Sequence, residues 1–328
     1  MVGCLVCHPY DKSQKGLVLY SDMWKHKHLL EISHLSTQDI EYVFSLAERF
    51  LSFMNKGVRK FPALKDFSMV TLFFEPSTRT RISFELAARN LSANVIHFDT
   101  SSSSLQKGET LYDTLKTLDA MGFDFMVVRH KWIGAPHWIA QNVSAHVINA
   151  GDGTHAHPTQ ALLDAFTIKY FLGTLQDVRI AIVGDILHSR VARSDTVAFI
   201  KLGAEVMLCG PPALLPAQMK RENVQLTHDL DEALKWADVI IVLRLQKERQ
   251  KQGLIPSLKA YNRDYGLTPE KLANVNRKIW IMHPGPMNPG VEIETSVAES
   301  NISWILSQVK HGVATRMALL YLLAQVKN

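Results

Sequence analysis

The chain has 328 residues, enough for two domains, and its composition of 47% hydrophobic and 20% charged residues excludes an intrinsically disordered protein. The net charge of +5 comes without a lysine and arginine block or an aromatic basic stripe, so no nucleic-acid partner is expected. No apolar run reaches the roughly 18 residues of a membrane span, and the N-terminus lacks a signal-peptide pattern. We therefore expect a cytoplasmic protein with no membrane partner.

The first half of the chain alternates helices and strands. Ser36 is the predicted N-cap of a helix that extends to Met54, because the apolar residues after it recur at helical spacing. The next elements are predicted as strand 69–74, helix 81–91, strand 95–98, helix 110–121, strand 125–129, helix 132–141 and strand 146–150. Apolar strands that alternate with helices are typical of a parallel sheet buried on both faces.

A second series follows the break at Gly151-Asp152-Gly153. Its predicted elements are helix 157–171, strand 179–185, helix 190–202, strands 205–209, 239–243 and 279–282, and a last helix 302–326 that is apolar nearly all round. The two series predict two parallel-sheet α/β domains that divide near residues 150–157. Ligands of such sheets bind beyond the carboxyl ends of the strands, so we expect the active site in the cleft between the domains.

The segment Ser77-Thr78-Arg79-Thr80-Arg81 follows a buried strand and opens a helix. Hydroxyl and guanidinium donors at a helix N-terminus, together with the free N–H groups and the positive end of the helix dipole, favour an anion such as phosphate. Arg81 lies two positions from Arg79 and therefore faces elsewhere; we predict that it pairs with Glu85, which is at i+4.

Further cations stand at or just after the ends of other strands. Together with Arg79 they are Arg129, Arg190, Arg244 and His283. One such residue could be an ordinary surface charge, but the whole set predicts a ligand with several negative charges.

Six motifs in order resemble the aspartate/ornithine carbamoyltransferase family over residues 25 to 325. Two are general to the family: Ser77-Thr78-Arg79-Thr80-Arg81 and His157-Pro158-Thr159-Gln160. Four resemble its aspartate branch, and they are 106–110, 127–130, 243–249 and His283-Pro284-Gly285-Pro286. The resemblance implies transfer of the carbamoyl group of carbamoyl phosphate to the α-amine of L-aspartate, an early step of pyrimidine synthesis, with no metal and no organic cofactor.

The resemblance also implies a domain division. It assigns residues 1–22 to an N-terminal extension, 23–156 to a carbamoyl-phosphate-binding domain and 157–300 to an aspartate-binding domain. The C-terminal helix, 301–328, is expected to return to the first domain.

The resemblance assigns roles to the carbamoyl-phosphate residues. Ser77, Thr78, Arg79 and Thr80 would hold the phosphate, and Arg79 would also neutralise charge on the bridging oxygen. Arg129, Thr80 and His157 would form an oxyanion hole for the carbonyl. Position 157 also fits a capping histidine, and the positive helix end favours a neutral imidazole that can donate. The carbamoyl NH2 group would be accepted by Gln160 and the backbone carbonyls around Pro284, Gly285 and Pro286.

Aspartate recognition would fall to cations, because this substrate has two carboxylates. The residues that match are Lys107, Arg190 and Arg244, with Gln246 as a polar neighbour. Ornithine would bring an ammonium group that these cations repel. In the family the loop with Ser104 and Lys107 reaches the neighbouring subunit, which implies a homotrimer with shared active sites; Ser103 is an alternative to Ser104. Ornithine as acceptor stays open as an alternative, and so does the presence of regulatory or pathway-enzyme subunits.

The three cysteines fit a reducing compartment. Cys4-Leu5-Val6-Cys7-His8 matches a haem attachment pattern and could supply part of a zinc site, but haem attachment would require export and no second ligand pair follows. We favour a plain N-terminal extension. A nucleotide-binding dehydrogenase is a weaker alternative, since residues 184–190 lack G-x-G-x-x-G. A non-catalytic sensor is disfavoured because all motif positions are occupied.

Overall fold

The structure is a computed structural model that describes residues 24–98, 108–246 and 253–326. The chain divides into two compact units. The first unit extends to Gly153 and resumes at Gly312, and the second comprises Thr154–His311. None of the helices in these described ranges combines the length and apolarity that crossing a bilayer requires.

The first unit is built on a four-stranded sheet. Its strands are β1 (Ser68–Phe73), β2 (Asn94–Phe98), β3 (Phe125–His130) and β4 (His146–Asp152), in the order β2-β1-β3-β4, and all pairings are parallel. Its helices are α1 (Thr37–Asn55), α2 (Thr78–Asn90), α3 (Leu111–Ala120) and α4 (Ala135–Ala140). Alternate residues of β1, β3 and β4 pack with α3 and α4 side chains in one apolar core.

The second unit has a five-stranded parallel sheet in the order β7-β6-β5-β8-β9. Its strands are β5 (Arg179–Val183), β6 (Glu205–Cys209), β7 (Val224–Thr227), β8 (Val239–Val242) and β9 (Trp280–Met282). Its helices are α5 (Pro158–Leu172), α6 (Arg190–Lys201), α7 (Leu230–Trp236), α8 (Leu258–Tyr265), α9 (Pro269–Ala273) and α10 (Thr295–Ala298). The last helix, α11 (Ile305–Leu323), belongs to the first unit from Gly312 onward. The predicted fold class of two parallel-sheet α/β domains is confirmed.

Local chemistry explains where several elements begin. The Ser36 side chain accepts from the Asp39 N–H at 3.1 Å, and the Asp39 carboxylate accepts from the Ser36 N–H at 2.8 Å, so the predicted cap is part of a capping box. α4 begins at Ala135 rather than at Trp132, because Gly134 precedes it with φ of 80°. α2 begins at Thr78, three residues earlier than predicted, because Ser77 already occupies the N-cap position.

Cys209 at the end of β6 is a core residue of the second unit, as its strand position predicts. Burial, followed by the nearby charges of Asp229 and Glu232, raises the pKa of its thiol to about 12. The predicted extension with Cys4, Cys7 and His8 lies outside the described residues.

Candidate active site

The start of α2 carries the predicted phosphate-binding residues of the first unit. Ser77 is the N-cap residue in extended conformation, and its side chain does not cap the helix. Thr78 and Arg79 are exposed, whereas Thr80 is buried. The N–H groups of a first helical turn have no intrahelical acceptor, so this turn offers donors to an anion together with two hydroxyls and a guanidinium.

Arg81 is held away from that turn. Its Nε lies 3.7 Å from Oε1 of Glu85, and its Nη1 lies 2.7 Å from Nε2 of His97 on β2. The predicted i, i+4 pair with Glu85 is therefore confirmed, and it explains why one of two neighbouring arginines is a poor candidate for phosphate binding.

Arg129 lies near the carboxyl end of β3, where it stands opposite Phe73 of β1. Its Nε lies 3.4 Å from Oε2 of Glu75, and its Nη1 donates to the carbonyl of Ala150 at 3.3 Å. These contacts tie the guanidinium to the loop after β1 and to β4. They place a half-buried cation on the same sheet edge as the start of α2.

His157 is the N-cap residue of α5 in the second unit and Gln160 lies in the first turn of that helix, and both are buried. The His157 N–H donates to Oγ of Ser194 at 2.9 Å. Gln160 donates through Nε2 to both carboxylate oxygens of Asp164, at 3.0 and 3.1 Å. Because Asp164 takes the amide N–H groups, Oε1 of Gln160 is the end that can accept a hydrogen bond from a ligand.

Asp164 is the acceptor at the centre of a buried polar cluster. Besides Gln160, Gln308 of α11 donates to it through Nε2 at 2.6 Å. Asp195 of α6 is also fully buried beside it. Desolvation, then the charge of Asp164 and a hydrogen bond to it, raises the pKa of Asp195 well above its ordinary value. The direction of this shift favours a neutral Asp195 beside a charged Asp164, which is the carboxyl group that accepts the amide hydrogen bonds.

Gln308 links this cluster to the loop after β9. Its Oε1 accepts from the His283 N–H at 2.9 Å. Nδ1 of His283 in turn accepts from the Gly285 N–H at 2.8 Å, and Nε2 of His283 lies 3.4 Å from Oε1 of Glu292. The peptide bond between Gly285 and Pro286 is cis. A continuous set of hydrogen bonds thus runs from Gln160 to the predicted Pro284-Gly285-Pro286 segment.

The predicted aspartate-binding residues of the second unit lie in the segments that follow β5 and β8, which are paired strands. Arg190 is the first residue of α6 and is buried, and Arg244 follows β8 and is half-buried. Gln246 donates through Nε2 to the carbonyl of His188 at 2.9 Å, and Nδ1 of His188 lies 2.9 Å from Oδ1 of Asp185. The loops after the two strands are therefore joined by a direct hydrogen bond.

Some predicted residues cannot be placed. Ser104 and Lys107 lie outside the described residues, as does the alternative Ser103. Conversely, the sequence interpretation missed Asp164, Asp195 and Gln308. The i, i+4 spacing of Gln160 and Asp164 was a usable signal, whereas no local pattern relates Gln308 to Asp164, 144 positions away.

Comparison with known proteins identifies the family of both units. The family described as aspartate/ornithine carbamoyltransferase, carbamoyl-P binding domain, matches residues 27–170, and the family described as aspartate/ornithine carbamoyltransferase, Asp/Orn binding domain, matches residues 176–323. The aspartate carbamoyltransferase catalytic subunit of Cytophaga hutchinsonii is 51% identical over 298 residues, which cover 91% of this chain and 97% of the relative. That of Carboxydothermus hydrogenoformans is 50% identical over 303 residues, covering 92% and 97%.

Solved structures give the same result. Aspartate transcarbamoylase from Trypanosoma cruzi in complex with carbamoyl phosphate and aspartate has a TM-score of 0.84 and 30% identity, with coverage of 93% of this chain and 98% of that one. The same enzyme in complex with carbamoyl aspartate and phosphate has a TM-score of 0.82 and 31% identity, covering 93% and 97%. With both family matches and relatives near 50% identity over nearly the whole length, the chain belongs to the aspartate/ornithine carbamoyltransferase family.

Proposed function

We propose that the chain is an aspartate carbamoyltransferase catalytic chain, which transfers the carbamoyl group of carbamoyl phosphate to the α-amine of L-aspartate. The products are N-carbamoyl-L-aspartate and phosphate, in pyrimidine biosynthesis. The observation that carries the proposal is the identity of about half of all aligned positions with enzymes named aspartate carbamoyltransferase catalytic subunit. The T. cruzi structures with both substrates and with the products support it.

Carbamoyl phosphate is already an activated acyl donor, so the reaction needs no serine or cysteine nucleophile. The protein must hold a dianionic leaving group, polarise one carbonyl and orient a neutral amine; orientation alone can supply ~7–11 kcal/mol. We assign the phosphate to Ser77, Thr78, Arg79 and Thr80, and this is supported by the exposed donors of the first turn of α2. The departing phosphate takes the proton of the attacking amine, so no separate protein base is required.

We assign the carbonyl oxygen to Arg129, Thr80 and His157, which would stabilise the negative charge of the tetrahedral intermediate. The carbamoyl NH2 group is assigned to Oε1 of Gln160 and to the backbone carbonyls around Pro284, Gly285 and Pro286. The hydrogen bonds that Nε2 of Gln160 donates to Asp164 support this assignment, because they leave Oε1, the acceptor atom of the amide, for the substrate.

Aspartate rather than ornithine is the proposed acceptor. Arg190, Arg244 and, from the neighbouring subunit, Lys107 are assigned to its two carboxylates, with Gln246 beside them. An ammonium group in place of the second carboxylate would meet like charge, which costs several kcal/mol.

We also propose that the chain works in the cytoplasm as a homotrimer with shared active sites, with Ser104 and Lys107 acting in the next subunit. Apolar side chains on the surface of the first unit support self-association: Ile82 and Leu86 of α2 are 50% and 44% exposed, and Ile96 of β2 is 55% exposed. Light scattering of the purified chain measures the assembly directly, and a monomer at micromolar concentration would contradict the trimer.

The decisive experiment supplies carbamoyl phosphate to the purified chain with aspartate or ornithine separately and measures phosphate release. We expect rapid release with aspartate and at most background release with ornithine. An Arg244→Ala variant serves as a matched control, because it should lose the aspartate reaction without gaining the ornithine reaction. Equal or faster release with ornithine would overturn the assignment of the acceptor.

A further inference from the structure

Three side chains with metal-binding atoms meet on the first unit, apart from every residue assigned to the substrates. They are Glu31, which precedes a single 3-10 turn, His34, which ends that turn, and His137 of α4. Each contributes one ligand atom, and these atoms all lie within 4.8 Å of one another. The cluster joins two segments that are about 100 positions apart in sequence.

The side chains of the cluster contact one another at defined distances and angles. Nε2 of His137 lies 3.0 Å from Oε1 of Glu31. Oγ of Ser33 donates to the other carboxylate oxygen, Oε2, at 2.8 Å. The rings of His34 and His137 stand nearly perpendicular, at 84°, with centroids 6.0 Å apart. Ser33 thereby orients the carboxylate from outside, as hydrogen-bond partners of metal ligands do.

We propose that Glu31, His34 and His137 form a binding site for a divalent transition-metal ion, Zn²⁺ first of all. Two imidazole nitrogens, one carboxylate oxygen and an open fourth position are a ligand set that Zn²⁺ accepts. Ligand atoms in a tetrahedral zinc site are about 3.4 Å apart, since the bonds are about 2.0–2.1 Å long. The pair of ligand atoms at 3.0 Å, in Glu31 and His137, would open by about 0.4 Å to reach that spacing. The separations of up to 4.8 Å would close by at most about 1.4 Å, which the exposed His34 side chain permits.

A simple ion pair accounts for only part of this geometry. Glu31 and His137 alone would explain their own contact, but not the approach of His34 to both of them. The proposed ion would replace the proton that bridges the pair and add the third ligand. Its role is to fasten the segment before α1 to α4, and the carbamoyl-transfer reaction does not depend on it.

The test is a zinc titration of the full chain by isothermal calorimetry. Cys4 and Cys7 are first changed to serine in all samples, because a Cys-x-x-Cys-His sequence can bind zinc through its own thiolates. We expect one Zn²⁺ per chain in this background, and at least about tenfold weaker binding in His34→Ala and in Glu31→Gln, as expected when a metal site loses a contributing group. Circular dichroism verifies that each variant is folded.

His228→Ala is the matched control. His228 is also exposed, but it lies in the second unit, where its Nδ1 is 2.9 Å from the carbonyl oxygen of Gly210. Its loss should leave the zinc affinity unchanged. The proposal is overturned if the background chain does not bind zinc, or if His34→Ala and Glu31→Gln bind it as tightly as the background does. Visible spectra with Co²⁺ give a second readout, because a tetrahedral site absorbs strongly there and an octahedral aquo ion does not.

Discussion

The two buried carboxyl groups of the second unit should respond in opposite ways to the same isosteric change. Asp164 accepts hydrogen bonds from Gln160 and Gln308, whereas burial, followed by the charge of Asp164, raises the pKa of Asp195 and so favours its neutral form. Asparagine resembles a protonated aspartate in shape and can donate as it does. We therefore expect Asp195→Asn to be tolerated, and Asp164→Asn to damage both stability and catalysis.

The magnitude for Asp164→Asn follows from its hydrogen bonds. Hydrogen bonds to a charged group contribute about 1.5–3 kcal/mol each, and Asp164 receives them from two buried amides. The neutral asparagine retains one carbonyl oxygen, and its own NH2 group would face an amide donor. We expect a loss of about 3 kcal/mol in the free energy of unfolding. Because Gln160 and the His283 loop lose their common anchor, turnover should fall as well.

For Asp195→Asn the sign depends on pH. The pKa of Asp195 is raised in the folded state, so above its ordinary value of 3.8 the folded chain binds more protons than the unfolded chain. Wild-type stability therefore falls as pH rises, by up to about 1.4 kcal/mol per pH unit, until the folded-state pKa is reached. The asparagine side chain of the variant has no proton to lose in this way. The free energy of unfolding of the variant, relative to that of the wild type, should therefore rise as the pH is raised from 4 to 7.

The measurement is urea unfolding of the wild type and both variants at pH 4.5 and pH 7, followed by circular dichroism, with phosphate release as the activity assay. Equal destabilisation by the two substitutions would refute the assignment of the charge to Asp164. A fully active and stable Asp164→Asn variant would refute its role as an anchor.

Four further predictions test other parts of the molecule. Arg79→Ala should abolish turnover and weaken carbamoyl phosphate binding. Arg81→Ala should cost less than about 1 kcal/mol of stability and leave the carbamoyl-transfer reaction intact. Similar steady-state kinetics in the two variants would show that Arg79 is not part of the site. Arg244→Ala should raise KM for aspartate far more than KM for carbamoyl phosphate; an unchanged aspartate dependence is the contrary result. Mixtures of inactive Lys107→Ala and Arg79→Ala chains should regain activity after subunit exchange, and no recovery once exchange is demonstrated would count against shared sites. Burial lowers the pKa of His311 to about 4, so the free energy of unfolding should decrease as pH falls from 6.5 to 4. His311→Gln should flatten this dependence on pH. An unaltered dependence in that variant would contradict the lowered pKa of His311.

The fold was predictable where local patterns decide the structure. The buried strands are continuous apolar segments, and the capping box at Ser36 is a local motif, so both can be seen in the sequence. β7 was missed because it has only four residues, of which only the first and the last are buried, and so short a pattern cannot be separated from a loop. The boundaries of α2 and α4 depended on single backbone conformations at Ser77 and Gly134.

The candidate site was only partly predictable for a similar reason. The residues that would touch substrate form short motifs, and the pairing of Arg81 with Glu85 follows from helical spacing. The residues behind them do not form motifs. Asp195 and Gln308 reach Asp164 from α6 and α11, and only the folded packing of these helices puts an acid next to an acid.

The interior position of Cys209 has a practical consequence for chemical labelling. A sulfhydryl with a pKa of about 12 and no solvent exposure is inert toward maleimides and iodoacetamide at neutral pH. Once the two N-terminal cysteines are replaced by serine, a cysteine introduced at any chosen surface position becomes the sole thiol that reacts with these reagents. Fluorophores or spin probes for distance measurements can then be attached at one place, with the native core thiol left as it is.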